Sequence, residues 1–131
     1  MTFDENIAAR TLIQEARGEP PEGQRAVAHV LLNRLKEGRW GKSLSAVCLW
    51  PKQFSGWTPS DPNFDYVRKI SDADPLMVKM LKVLNDAKVL QDNTGGANHY
   101  HADYVTPSWA KSMRQTAKIG RHIFYTDKAG A

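Results

Sequence analysis

A chain of 131 residues with 41% hydrophobic content is long enough to bury one core and gives no reason to expect a second, so a single domain over residues 1–131 is expected. One cysteine, Cys48, excludes an internal disulfide and sits in the apolar run VCLWP as a buried filler. The +4 formal charge, with 18 Lys and Arg spread along the chain, offers no arm for nucleic acid and favours weak attraction to anionic polymers.

No window reaches the ~18 apolar residues of a spanning helix, and MTFDENIAAR lacks the basic start and apolar run of a signal peptide. The expected product is a protein made in the cytoplasm, without stable membrane insertion. Thr2 and Glu5 form a capping-box pattern, and the good helix formers from Phe3 to Arg17 predict a first helix. Ala8, Ala9, Leu12, Ile13 and Ala16 make its apolar arc; Arg10, Gln14 and Arg17 lie opposite, and Glu15 falls at the border. Gly18, Pro20 and Pro21 then force a corner.

A second helix is predicted from about Glu22 to Lys36, apolar around most of its circumference, with a polar strip through Arg25, His29 and Asn33. Arg34 falls among its apolar positions and requires a carboxylate or carbonyl partner. From Gly38 to Asp65, tryptophans and phenylalanines alternate with glycines and prolines, which predicts an ordered loop region with a short helical turn near Ser43 to Cys48. Asp74-Pro75 opens a third long helix, running to about Leu90. After the loop Asn93-Thr94-Gly95-Gly96 comes an aromatic and imidazole-rich run, ANHYHADYVTPSW. Ser108 to Lys118 reads as a last helix between Pro107 and Gly120, and His122 to Thr126 as a short β-prone run.

The chemistry-bearing residues are few. His99, His101 and Asp103 form an H-x-H-x-D pattern that would share one face of an extended run and could hold a divalent metal, with a further ligand from His29 or His122. There is no H-E-x-x-H, no G-x-S-x-G, no basic neighbour to activate Cys48 and no phosphate-binding glycine loop. What remains is a carboxyl acid, Glu15, held at a rigid corner, and the QFSGW segment from Gln53 to Trp57, whose amide, hydroxyl and indole groups suit the hydroxyls and flat faces of sugars.

The blocks TLIQEARGEPPEGQRAVAHVLLNRL, QFSGW, GGANHYHADYV with Trp109, and GRHIFY resemble, in that order and over nearly the whole chain, the SleB-type cell wall hydrolase family. That family includes spore-cortex-lytic enzymes and phage or prophage wall hydrolases. The resemblance implies a mainly α, compact lysozyme-like domain of the lytic-transglycosylase type, with at most a small β element. It implies cleavage of peptidoglycan between N-acetylmuramic acid and N-acetylglucosamine, with Glu15 as the catalytic acid and no cofactor. Gln53, Ser55, Trp57, Tyr100, His99 and His101 would line the cleft, and Tyr100 would orient the acid or the leaving sugar. Glu19, Asp61 and Asp103 are the choices for a second carboxylate, and the single-glutamate chemistry of lytic transglycosylases needs none of them. A monomeric phage or prophage lysin, released to the wall without an export signal, fits the sequence. The competing readings are a metal-dependent wall hydrolase built on His99 and His101, and a silent wall-binding module.

Overall fold

The computed structural model describes residues 1–128. Helix α1 spans Phe3–Ala16 and opens with the full capping box, Thr2 and Glu5 each satisfying the other's backbone N–H. Helix α2 spans Pro21–Glu37, with Pro21 at its first position. The turn expected after it is α3, Leu44–Leu49, capped by Ser43. A 3₁₀ turn at Ser55–Trp57 and a short helix α4, Phe64–Lys69, follow. The sequence pattern gave no sign of α4, whose six residues are too few to show a helical period. Helix α5, Pro75–Val89, is capped by Asp74.

The C-terminal third forms a small antiparallel sheet, β1 His99–Ala102, β2 Arg114–Ile119 and β3 His122–Thr126, in the order β1-β3-β2. The architecture is therefore mainly α with one small sheet. A last helix over Ser108 to Lys118 does not form. A 3₁₀ turn occupies Ser108–Ser112, and the rest is β2, paired with β3 from Arg114 opposite Thr126 to Ile119 opposite His122. So short a helix would be marginal alone. Strand pairing satisfies the same backbone while placing Ala117 and Ile119 against the core, with an irregularity between Gln115 and Ala117. Gly120, expected after a helix end, is instead the left-handed hairpin residue, at φ 59°.

One continuous core joins the helices to the sheet. Ala8, Ala9, Leu12 and Ile13 of α1, Val27, Val30 and Leu31 of α2, Met77, Met80 and Leu84 of α5 and Phe124 of β3 are fully enclosed, with Cys48 among them. Burial pushes the Cys48 thiol up to about 12, which leaves it inert. His29, expected on a polar strip, is also buried. The loop carrying Asp92 covers it, and Asp92 accepts hydrogen bonds from Asn33, Thr94 and the Gly96 amide.

Arg10 departs from its expected place on the exposed face of α1. It is 7% exposed, and its guanidinium donates to the carbonyls of Val67 and Ile70 at 2.8 and 2.7 Å and to Asp72 at 2.6 Å. It thereby satisfies the carbonyl end of α4, a helix that no glycine stops. Arg10→Ala is expected to lower unfolding free energy by about 1.5–3 kcal/mol, the range for hydrogen bonds to a charged group. Urea denaturation checks this; a loss under about 0.5 kcal/mol would mean α4 holds itself.

Candidate active site

The end of α1 faces β1 across a cleft. Glu15 is the penultimate residue of α1, partly exposed, and the Tyr100 hydroxyl of β1 donates a hydrogen bond to its Oε1. Burial raises the Glu15 pKa above its ordinary 4.5; the Tyr100 hydrogen bond and the Arg34 charge oppose the shift, and the Asp61 charge adds to it. Burial, with Glu15 beside it, likewise keeps the Tyr100 phenol well above its usual range, so Tyr100 remains a donor. A cavity of about 620 Å³ opens on one side of this pair. A second, of about 310 Å³, adjoins it. Glu15, Gln14, Ala102, Tyr104 and His122 border both, so the carboxyl lies where the two cavities adjoin.

The QFSGW segment forms one wall through three ties to the first two helices. Gln53 accepts from Arg34 of α2 at 3.0 Å, the Gly56 amide donates to the Gln14 side chain of α1, and the Trp57 indole donates to Thr11 at 2.9 Å. Gly56 is required by close approach, because a Cβ there would collide with the Gln14 amide. Gln53 lines the large cavity. Ser55 and Trp57 lie outside the lining of both cavities, Ser55 on the open surface and Trp57 packed against the core.

The opposite wall is aromatic. The Trp109 ring lies 5.5 Å from His99, 5.6 Å from His101 and 5.5 Å from Tyr125, between centroids. His99 donates from Nδ1 to Asn98 at 2.8 Å, since the Asn98 amide nitrogen already serves Glu37 and Asp127. Burial lowers the His99 pKa, so the ring is neutral and Nε2 is an acceptor. His101 donates from Nδ1 to the Ala102 carbonyl at 2.7 Å and accepts from Tyr125 at Nε2, 2.9 Å. The lone pair a metal would use on His101 is thus taken. Asp103 pairs with Lys118 at 3.6 Å, and among the described residues no three His, Cys, Asp or Glu side chains converge.

Of the residues singled out in the sequence, Glu15, Gln53, His99, Tyr100 and His101 come together around one cleft. Gln14, Arg34, Tyr104 and Trp109 join them there. Arg34 gave a signal, a charge among apolar positions of α2. Gln14 gave none, because its role depends on a loop 42 residues away. Of the possible second carboxylates, Glu19 and Asp103 are engaged by Arg121 and Lys118. Asp61 is the one whose charge Glu15 feels, and it accepts from the Asn63 amide.

Comparison with known proteins shows the family and the fold. The profile of the Cell Wall Hydrolase family matches residues 18–125. The spore cortex-lytic enzyme of Halalkalibacterium halodurans is 36% identical over 126 residues, 92% of this chain and 34% of that protein. That of Bacillus subtilis is 30% identical, over 92% of this chain and 37% of its own length. The chain therefore spans little more than a third of these two relatives. The catalytic domain of the germination-specific lytic transglycosylase SleB from Bacillus anthracis superposes with a TM-score of 0.77 at 31% identity, covering 94% of this chain and 93% of that domain. The SleB catalytic domain of Bacillus cereus gives 0.76 at 31% identity, covering 94% and 89%. A family profile that runs from the α1–α2 corner to β3, and a fold shared with both SleB domains over nearly its full length, place the chain in the cell wall hydrolase family.

Proposed function

We propose that this domain cleaves the glycan strands of peptidoglycan between N-acetylmuramic acid and N-acetylglucosamine, with Glu15 as general acid and then base. The observation that carries the reading is the Glu15 carboxyl, desolvated and hydrogen-bonded by Tyr100, where two cavities adjoin beside an aromatic wall. A raised pKa keeps the acid protonated where an exposed glutamate would be ionised, so it can protonate the glycosidic oxygen as the bond to C1 breaks. Trp109 and the neutral His99 imidazole offer flat faces and an acceptor to the sugar rings and hydroxyls.

The similar SleB domain from Bacillus anthracis is described as a lytic transglycosylase, and the engagement of Glu19 and Asp103 elsewhere supports the same single-glutamate course here. In that course the substrate's acetamido oxygen stabilises C1 as the leaving sugar departs with the Glu15 proton. The Glu15 carboxylate then removes the proton from the muramic C6 hydroxyl, whose oxygen closes on C1. Mass spectrometry of digested, purified peptidoglycan tests this. The expected products end in anhydro-muramic acid; reducing ends, heavier by one water, would assign a hydrolase with a bound nucleophilic water. No released fragments would leave a binding module.

A further inference from the structure

The Tyr100–Glu15 contact joins residues 85 positions apart, and a second tie joins the same two regions of the chain. Glu19, in the α1–α2 corner, is 9% exposed. Its Oε1 accepts from the Arg121 amide at 2.8 Å, and its Oε2 from Arg121 Nε at 3.2 Å. The Arg121 carbonyl in turn accepts from the Asp103 amide at 2.8 Å, just past β1. His122, the next residue, packs its ring at a tilt against Tyr100, 4.9 Å between centroids, and holds Nδ1 3.7 Å from Glu19 Oε1. The turn is fitted to this carboxylate: a Cβ on Gly120 would stand 2.6 Å from Glu19 Oε1.

We propose that Glu19 is a positioning residue: its carboxylate seats the β2–β3 turn against the α1–α2 corner, and through Arg121 and His122 holds Tyr100 on Glu15. The proposal rests on the glycan-cleaving reading for its kinetic test. The Arg121 guanidinium is largely exposed, so the backbone N–H bond to Glu19 carries most of the connection. A misplaced Tyr100 costs turnover more than binding, since its donor orients the acid and not the substrate.

Glu19→Ala, which removes both acceptor oxygens, is expected to lower kcat on purified peptidoglycan by about 10- to 100-fold with KM within about twofold. On a Tyr100→Phe background the same substitution should cost under about twofold, because the contact it supports is already gone. Multiplying losses would overturn the proposal, as would an unchanged kcat. Gly120→Asn provides a second variant if Glu19→Ala unfolds, because asparagine tolerates the left-handed backbone while its Cβ displaces the Glu19 carboxylate. A substrate-free readout separates this proposal from the function. The Tyr100 hydroxyl proton, identified by its loss in Tyr100→Phe, should give a resolved downfield NMR signal that broadens or shifts in Glu19→Ala. An unaltered signal would overturn the positioning role even if the wall is cleaved, and an altered one would support it even if the wall is not the substrate.

Discussion

Glu15→Gln is expected to lower peptidoglycan cleavage about a thousandfold and, at neutral pH, to raise the thermal midpoint of the same protein. The activity loss follows from removing the carboxyl that the proposed mechanism uses as its proton donor, a contribution of about 10²- to 10⁴-fold for general acid catalysis. The stability gain follows from the direction of the pKa shift. Burial raises Glu15 above its ordinary 4.5 in the folded chain, against the smaller opposing effects of Tyr100 and Arg34. The folded state thus holds this proton more tightly than the unfolded state. Below pH 4.5 the carboxyl is neutral in both states and no penalty arises; as pH climbs through the folded value, the ionised carboxylate destabilises the fold, and the penalty then levels off. Glutamine has the same shape and no charge. Its advantage should therefore be absent in acid, grow on the alkaline side of pH 4.5 and persist at neutrality, the signature of a site whose chemistry is held at the expense of stability. Thermal melts of both proteins from pH 3 to 8, with turnover on purified wall, measure the two halves. A variant that keeps most turnover would remove Glu15 from the mechanism, and identical melts at every pH would show that the carboxyl is not desolvated.

Much of this was legible in sequence because the signals were local. The Thr2–Glu5 box, the Pro21 start of α2, the Asp74-Pro75 start of α5 and the apolar arc of α1 each depend on residues within a few positions, and each element formed with boundaries within two residues. Glu15 was singled out by its residue type and place on α1, Gln53 and Tyr100 by the family resemblance, and the structure brings the three to one cleft. The site was opaque where function depends on distant partners. Gln14 and Arg10 looked like surface residues of α1 because nothing local reveals the loop and the helix that come to cover them. Trp57 looked like a sugar platform, yet its indole is anchored to Thr11. The segment before Gly120 had helical composition, and only the pairing with His122–Thr126 made it a strand.

Arg34 connects these two kinds of information, and its removal should produce the largest loss of stability among the cleft residues. It is 5% exposed. Its Nε donates to the Asn98 carbonyl at 2.8 Å and one terminal nitrogen to Gln53 at 3.0 Å, while its Cζ lies 4.6 Å from the Trp40 ring centroid and 5.5 Å from that of Phe54. Among the described residues no carboxylate lies within ion-pair distance, so carbonyl oxygens and aromatic faces stabilise the charge. Arg34→Ala removes the link between α2, the QFSGW loop and the entry to β1, leaves the Asn98 carbonyl unpaired and opens a cavity. About 3–5 kcal/mol of unfolding free energy should be lost. Arg34→Met fills most of the volume without the charge and should recover much of that loss, which makes it the informative variant for chemistry. The Arg34 charge lowers the Glu15 pKa; with methionine the acid should hold its proton to higher pH, and the alkaline limb of the pH–activity profile should move upward. Lysine would keep a charge but not the planar two-donor geometry, so it should rescue the limb better than the stability. An alkaline limb that stays fixed in a folded Arg34→Met protein would show that Arg34 only braces the walls and has no electrostatic hold on the acid.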